Sequence, residues 1–526
     1  MRGSQETPAA HEPGQRFVLN VIWNWLGTIV SLFIGFVLSP YLIVKLGADG
    51  YGVWAITFAL VEYCWFFDFG FRSATVKFVA HYSAINDPDN VRAVLSTVLL
   101  YSSITGCVIL AGALAVARYV EHFFRIPENL RGSFQTLLIL ITLSWCLGLV
   151  FNVFNASIEA VQHFEYSNKA SIVSAIVRAI GWASALYLGY GLIAIGVVTV
   201  LSQAAGYIVN YIYFRRIFPG QRLSPRFARL STLHEMARFG IHTFVMTISN
   251  QLRNAGAPLL IGHFLPAAFV GFYNLPVRLL QYTVELVGRL GIVTNTKAAE
   301  LAARDRSESL TDLAVYTNRY CLVIFMPLAI LLGTHGPQLL TLWVGPQFAN
   351  QSAPLLLPLL VACVIGVVGQ YSAGMLLQGL GKHQRYARSL LVEAVAGLLL
   401  AIVVIPRWGI VGAAWLAAAL TVLNRGIVAA WLISRTIHLS FAQYVQSVYA
   451  LPALAMLPVL ALSCWLRSTI LPGNGWAQIF AAAVLLGASY YGLAFFMALE
   501  RRHRALLALW IAKSWRAPAA EAVAPV

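Results

Sequence analysis

A long apolar run near the N-terminus indicates the fold class. Residues Phe17–Leu46 read FVLNVIWNWLGTIVSLFIGFVLSPYLIVKL, in which Lys45 is the one charged residue. About 20 apolar residues suffice for a helix to cross the hydrocarbon core of a bilayer, so this run predicts the first transmembrane helix. The run is too long for the apolar core of a signal peptide, and we expect no cleaved leader.

The rest of the chain has the same character. Of its 526 residues, 59% are hydrophobic and 11% are charged, with a mean hydropathy of +0.73, whereas soluble proteins carry about 25% charged residues. This composition excludes a water-soluble globule, a disordered chain and a nucleic-acid-binding domain. We predict an all-α polytopic membrane protein with about fourteen transmembrane helices. The predicted spans are 17–44, 51–81, 92–118, 132–161, 168–189, 192–215, 238–262, 267–298, 312–333, 352–380, 386–406, 410–434, 446–467 and 476–499.

The positions of the basic residues predict the orientation. The net charge is +16, and its Lys and Arg residues concentrate at 215–238, at 382–388 and in the tail at 501–516. Because such residues accumulate in cytoplasmic loops, we expect both termini in the cytoplasm. The net charge is then a property of loops, and attraction to anionic lipids is a secondary contribution.

Internal similarity predicts two lobes that enclose a site near the bilayer midplane. A shift of 219 residues lays the first span over the seventh and aligns two polar stripes. The pairs that this shift brings together are Asn24 and Thr243, Thr28 and Thr247, Ser31 and Asn250, Gly52 and Gly271, Trp54 and Tyr273, and Tyr63 and Tyr282. The predicted organisation is an N-terminal tail at 1–16, an N-lobe at 17–216, a basic linker at 217–237, a C-lobe at 238–435, two further helices at 436–500 and a tail at 501–526.

Five arginines fall inside the predicted spans. A charged side chain at the bilayer centre costs about 2.5–3.5 kcal/mol on insertion scales, so we expect these arginines to face a hydrated cavity or paired acids. They are Arg178, Arg253, Arg278, Arg289 and Arg425.

The seventh and eighth predicted spans carry most of these polar side chains. Arg278, Glu285 and Arg289 are seven and four residues apart, a spacing that places them on one helix face. Guanidinium forks grip phosphate oxygens bidentately, and we therefore expect an anionic, phosphate-bearing ligand. The predicted binding residues besides the five arginines are the amides Asn250, Asn254 and Asn274.

Three acidic residues leave alternatives open. Glu285 lies one turn from Arg289 and either neutralises it or leaves it for a ligand. Asp68 and Arg72, also four residues apart, predict an ion pair. Glu62 has no obvious local partner, so it either carries a coupling proton or donates a hydrogen bond across helices. Glu62, Glu285 and Asp68 are the candidates for energy coupling.

Cysteine and histidine usage predicts no metal site. The six cysteines are scattered singly through apolar stretches, and the eleven histidines are equally dispersed. Neither the close spacing of zinc or redox sites nor a disulfide framework is present in this pattern. We expect no metal, no cofactor and no catalytic residues.

Two short segments resemble a known family. Leu46–Trp54 reads LGADGYGVW, which resembles the turn between the first two helices of bacterial polysaccharide-export flippases, and Asp68–Lys77 reads DFGFRSATVK, which is similar to their second-helix pattern. These flippases, among them the O-antigen flippases, belong to the multidrug/oligosaccharidyl-lipid/polysaccharide superfamily. The resemblance departs in one respect, because many O-antigen flippases have twelve spans and fourteen are typical of lipid II flippases.

The resemblance implies a fold and a cargo. It implies two six-helix bundles in a V around a central cavity, and an undecaprenyl-pyrophosphate-linked oligosaccharide that moves from the cytoplasmic to the periplasmic leaflet of the bacterial inner membrane. For the mechanism we expect alternating access, in which the two lobes rock about the midplane site. It also implies that the partners are membrane lipids and enzymes of the same pathway, a polysaccharide polymerase or glycosyltransferases, and no nucleic acid.

Two other functions compete with this interpretation. A drug or cation antiporter of the same superfamily would need an acidic cavity, whereas arginine dominates inside these spans. A polyprenyl-dependent membrane glycosyltransferase or ligase would need catalytic residues on sizeable external loops. The predicted loop at 118–131 is short, and the one at 333–350 carries no charge except on His335.

Overall fold

The computed structural model describes residues 13–303, 307–382, 384–470 and 475–505, and it is helical almost throughout. Within the helices, side chains are described except in 13–26, 289–300 and some shorter stretches. The helices are α1 Pro13–Glu62, α2 Phe71–Ala84, α3 Pro88–Phe123, α4 Glu128–Ala160, α5 Phe164–Tyr187, α6 Leu192–Ile217, α7 Leu230–Phe264, α8 Ala267–Ala303, α9 Ser307–Val344, α10 Pro346–Ser352, α11 Leu356–Ala362, α12 Ala373–Gly379, α13 Gln384–Thr421, α14 Ala429–Thr436, α15 Phe441–Val445, α16 Leu451–Trp465 and α17 Trp476–Met497.

The fold class predicted from composition is confirmed. Ten segments of the described chain are long and apolar enough to cross a membrane. One of them, Gln384–Thr436, contains two of the predicted spans, and another, Gly27–Asp68, overlaps two. The seventh and eighth predicted spans form the helices α7 and α8, which are not among those ten segments. The count of fourteen therefore stays a prediction.

Glycines with positive φ mark the corners between joined helices. Gly47 in α1 has φ 70° and ψ 176°, and Gly409 in α13 has φ 60° and ψ −152°. Both conformations favour glycine because a Cβ would clash there. Each of these residues bends the chain between two predicted spans.

The second predicted span, 51–81, is not one continuous helix. A 3₁₀ helix at Tyr63–Asp68 follows α1, and Phe69 and Gly70 then adopt left-handed conformations before α2 begins. Gly70 lies against the backbone of Gly240 in α7, where a Cβ would come within 2.8 Å of the Gly240 carbonyl oxygen. This close approach between two backbones explains the break, and local hydrophobicity gave no sign of it.

The helices group into two compact units. The first contains the residues up to Asn274 together with Leu390–Ile410, and the second contains Leu275–Ser389 and the residues from Val411 onward. The predicted lobe boundary at 217–237 stays a prediction.

In the first unit, α3, α4, α5 and α6 pack closely together, with α1 against α5 and α4. Its main core joins side chains of α2, α3, α4, α6 and α7, including Phe78, Leu95, Phe154, Phe214 and Met236. A backbone bridge fixes the corner between α7 and α8, because Arg125 donates to Gly262 O and accepts from Ala267 N.

In the second unit, α9 is the central helix and packs against α10, α11, α16 and α17. Its buried side chains include Leu322 and Phe325, and Tyr490 of α17 is also fully buried. Four described stretches of this unit are π-helical, namely Cys363–Val368, Val422–Val428, Gln446–Ala450 and Leu466–Ile470.

Large apolar side chains also cover much of the outer surface of the helices. Phe33, Val392 and Phe480 are each more than 60% exposed. Monomeric soluble proteins rarely expose such extended apolar surface, so these side chains are placed to contact acyl chains.

Candidate functional site

The predicted binding residues lie in both units. Arg178, Asn250, Arg253, Asn254 and Asn274 belong to the first unit, and Arg278 and Arg425 belong to the second. Arg289 lies in α8, but its side chain is outside the described residues, so the alternative of an ion pair with Glu285 stays open.

In the first unit, polar groups of α7 meet the end of α1. Gln251 Nε2 donates a hydrogen bond of 2.9 Å to the backbone oxygen of Glu62, which is the last residue of α1. Arg253, two residues further along α7, is half-buried. Asn254 is exposed. The structure thus places Glu62 near the polar part of α7, and Gln251 is a residue that the sequence analysis missed.

In the second unit, one face of α8 carries a chain of polar side chains. Arg278 Nη1 donates to Gln281 Oε1 at 3.3 Å, and Gln281 Nε2 donates to Glu285 Oε1 at 3.1 Å. Gln281 and Glu285 are exposed, and Arg278 is half-buried. The amide of Gln281 therefore links the guanidinium to the carboxylate, and an exposed polar stripe remains on a helix that sequence predicts to be transmembrane.

Arg178 lies on α5 beside an aromatic cluster. Its guanidinium is 5.8 Å from the ring centre of Trp182, and Trp182 contacts Trp54 edge to face with ring centres 6.2 Å apart. Cation–π contact offsets part of the cost of burying the charge. Arg178 is half-buried and is supported by packing within its own unit.

Arg425 lies in one of two facing π-helical stretches. It belongs to Val422–Val428, which packs against Cys363–Val368. A Cβ on Gly366 would lie 3.3 Å from Arg425 Cβ and 2.8 Å from Thr421 O, so the two backbones are in close contact. Single-turn π segments often occur at functional sites, which makes this position of Arg425 noteworthy.

A buried hydrogen-bond network, absent from the sequence-based prediction, supports the Cys363–Val368 stretch. Tyr449 donates to Ile365 O at 2.5 Å and accepts from Gln370 Nε2 at 3.1 Å. Tyr444 donates to Gln370 Oε1 at 3.0 Å and accepts from Asn318 Nδ2 at 2.9 Å. The sequence signal for this network was the occurrence of polar side chains inside apolar spans, the same signal that singled out the arginines. Amides in such positions need hydrogen-bond partners.

Arg72, the expected partner of Asp68, makes a close ion pair with another residue. Arg72 Nη2 contacts both carboxylate oxygens of Glu159 in α4, at 2.8 and 2.9 Å, and Asn155 also donates to Glu159 at 3.0 Å. Asp68 is also attracted by Arg72, so the predicted interaction is present as an electrostatic attraction, while the close ion pair of Arg72 is made with Glu159.

Comparison with solved structures identifies the class of protein. The fold is similar to that of the lipid II flippase MurJ in an inward closed conformation, with a TM-score of 0.70, 13% identity, and coverage of 91% of this chain and 99% of MurJ. It is also similar to an inward-facing multidrug resistance MATE family transporter of the MOP superfamily, with a TM-score of 0.68, 14% identity, and coverage of 78% of this chain and 94% of the transporter. The protein is therefore a multi-pass membrane protein with the fold of the MOP superfamily.

Sequence comparison then gives the family. The profile of the polysaccharide biosynthesis protein family matches residues 17–292, more than half of the chain, and the chain belongs to this family. It is 22% identical over 430 residues to the Shigella flexneri protein named "Putative O-antigen transporter", covering 80% of this chain and 98% of that protein. It is 20% identical over 350 residues to the uncharacterized membrane protein EpsK of Bacillus subtilis, covering 65% and 68% of the two chains. The resemblance inferred from Leu46–Trp54 is confirmed.

Proposed function

We propose that this protein is a lipid-linked oligosaccharide flippase. It moves undecaprenyl-pyrophosphate-linked glycan units from the cytoplasmic to the periplasmic leaflet for cell-surface polysaccharide biosynthesis, and it acts as a carrier, not as an enzyme. Its family and the name of its Shigella flexneri relative support the glycan part of the cargo. Its likeness to a lipid II flippase supports the lipid part.

The observation that carries the proposal is the polar stripe on α8. The guanidinium of Arg278 donates a hydrogen bond to Gln281. Gln281 and Glu285 are exposed, and Arg278 is half-buried. Contact of this stripe with acyl chains would cost about 2.5–3.5 kcal/mol for the arginine alone. A guanidinium that faces water can instead bind a pyrophosphate oxygen pair, because its two parallel N–H groups match that geometry. Arg178, Arg253, Arg289 and Arg425, with Asn250, Asn254 and Asn274, complete the proposed binding set.

The two predicted lobes alternate access to the two leaflets. A contact between two residues that are equivalent under the 219-residue shift supports this repeat: a Cβ on Gly271 would lie 3.6 Å from the backbone nitrogen of Gly52. Equivalent residues meet in this way near a two-fold axis.

Both termini lie in the cytoplasm of a bacterium with the protein in its inner membrane, an orientation supported by the basic residues at 215–238.

Glu62 is the proposed coupling residue, ahead of Glu285 and Asp68. It lies where α1 ends, next to the contact of its backbone with Gln251. The protonation of a carboxylate follows its surroundings, because burial, nearby charges and hydrogen bonds each shift its pKa. If the flipping rate of the Glu62→Gln variant has the same pH dependence as that of the wild type, Glu62 is not the coupling residue.

The experiment measures flipping in proteoliposomes. A fluorescent polyprenyl-pyrophosphate oligosaccharide is placed in both leaflets, and a membrane-impermeant reductant then destroys the fluorophores in the outer leaflet. Loss of the remaining fluorescence reports the rate at which molecules flip from the inner to the outer leaflet. We expect Arg278→Ala to lose at least about tenfold in rate, equivalent to about 1.4 kcal/mol, and Arg278→Lys to retain part of the rate because the charge remains.

A matched control is Arg131→Ala, which changes an arginine that contacts Glu128 at 3.6 Å near the start of α4. Normal flipping by Arg278→Ala would contradict the proposal. Transport of a cationic dye without any flipping of the glycolipid would favour the antiporter function, and turnover of a glycosyl donor would favour the enzyme.

A further inference from the structure

The segment between α6 and α7 is held in place against the N-terminal turns of α3. Gln221, which is 8% exposed, donates from its side chain to Pro88 O at 3.1 Å. The backbone N–H of Arg229 donates to Thr97 Oγ1 at 3.0 Å. The sequence predicted this region as a basic linker, and in the structure Gln221–Leu230 is a fixed surface. We call it the basic shelf.

The basic shelf lies level with the ends of two membrane spans. The apolar segment Leu192–Ile217 ends four residues before Gln221, and the segment Pro88–Val120 begins at the residue whose carbonyl accepts the Gln221 hydrogen bond. Both segments are long and apolar enough to cross a membrane. The contact of Gln221 with Pro88 therefore places the shelf at the ends of two predicted spans, on one side of the membrane.

The exposed side chains of the shelf are of two kinds. Arg222, Arg226 and Arg229 are exposed, as are Phe227 at 40% and Leu230 at 81%. Arginines next to exposed apolar side chains are the composition of segments that lie on a bilayer surface, where the apolar groups enter the acyl boundary and the guanidinium groups reach phosphates.

The nearby acidic side chains do not neutralise this surface. Asp87 accepts from the backbone and side chain of Asn90 at 3.0 and 2.7 Å. Asp89 contacts Arg92 at 3.5 Å. Asp87 attracts Arg229. Arg222 and Arg226 are exposed, and among the described residues neither forms an ion pair with Asp87 or Asp89.

We propose that the basic shelf binds the headgroups of anionic phospholipids in the leaflet on its side of the membrane. Arg222 and Arg226 bind phosphate oxygens, while Leu230 enters the acyl boundary. The ring of Phe227, whose centre is 5.1 Å from the Arg92 guanidinium, presents its exposed edge to the same boundary. The position of the shelf at the ends of two predicted spans and its exposed apolar residues favour a lipid over an acidic protein, which would need a surface that projects into the solution. This inference does not depend on the identity of the flipped cargo.

The test compares the heat stability of the purified full-length protein in mixed micelles containing phosphatidylglycerol or phosphatidylcholine. A ligand that binds only the folded state raises its melting temperature. We expect phosphatidylglycerol to raise the melting temperature of the wild type more than phosphatidylcholine does, with the difference reduced at high salt because exposed charges are screened. Arg222→Gln with Arg226→Gln should lose at least half of this difference.

The matched control carries Arg118→Gln and Arg131→Gln, an exposed arginine in the last turns of α3 and a half-buried arginine in the first turn of α4. It should keep the full difference, and a second variant, Phe227→Ser with Leu230→Ser, should weaken stabilisation by both lipids. Equal stabilisation of the wild type by the two lipids, or equal losses in the shelf and control variants, would overturn the proposal. Loss of a co-purifying acidic protein with an unchanged lipid effect would also overturn it, in favour of a protein partner.

Discussion

Replacing Gly52 with alanine tests the crossing of α1 and α8 at the α7–α8 corner. A Cβ built on Gly52 would overlap the carbonyl group of Ala267 and lie 2.9 Å from the backbone nitrogen of Ala268, whereas real Cβ atoms essentially never come closer than 3.0 Å to another heavy atom. The opposing atoms are backbone, so no side chain can rotate away. The two helices must separate for the variant to fold.

The magnitude follows from two opposing effects. Overpacking of this kind costs about 1–3 kcal/mol, whereas glycine to alanine inside an unobstructed helix gains up to about 1 kcal/mol. We therefore expect Gly52→Ala to be destabilising by about 1–2 kcal/mol. Gly271→Ala should cost less, because its nearest neighbour is Tyr51 Cδ1 at 3.0 Å, a ring that can shift.

The assay is thermal unfolding of the purified variants in detergent, followed by flipping in proteoliposomes. Gly112→Ala in α3 is the matched control, because no atom lies within 4 Å of its Cβ position, and it should melt at or above the temperature of the wild type. If Gly52→Ala melts like Gly112→Ala and flips normally, then the close approach of the two backbones does not exist in the membrane, and the reasoning fails.

Three further outcomes are expected. Tyr449→Phe should destabilise the second unit by about 1–3 kcal/mol in thermal unfolding, because it leaves the buried Ile365 carbonyl and the Gln370 amide with one partner fewer. Tyr491→Phe should have a smaller effect, because Tyr491 is 46% exposed. A double-mutant cycle of Arg72→Gln and Glu159→Gln should give a coupling of about 0.5–1 kcal/mol, since the arginine is 42% exposed, and a larger coupling of Arg72 to Asp68 would refute the observed pairing. Hydrogen bonds from the backbone and side chain of Asn90 hold the pKa of Asp87 below its ordinary value. The stability that Asp87 contributes is therefore present above the pKa of the unfolded chain and is lost as the pH falls through the lower folded pKa. Between about pH 6 and pH 3, the melting temperature should fall less for Asp87→Ala than for the wild type.

Much of the helical architecture could be predicted from hydrophobic periodicity alone. The spans predicted at 132–161 and 192–215 correspond to α4 and α6 within a few residues, because long apolar runs bounded by turn residues leave few alternatives. The break at Tyr63–Gly70 was missed, since its cause is a backbone contact with Gly240 that lies far away in the sequence. The polar stripe on α8 was predicted from spacing, yet the role of Gln281 as the link between Arg278 and Glu285 required side-chain positions.

The sequence by itself determined the all-α membrane fold, the approximate positions of the helices and the places where charge interrupts apolar spans. These are local properties, because hydropathy and helical spacing act over fewer than about 20 residues. The tertiary structure alone decided that Arg72 contacts Glu159, that Tyr449 supports the Cys363–Val368 stretch and that Gly52 lies against Ala267. Each of these contacts joins helices distant in sequence, and its partner is selected by how closely the two backbones pack, which no local pattern encodes.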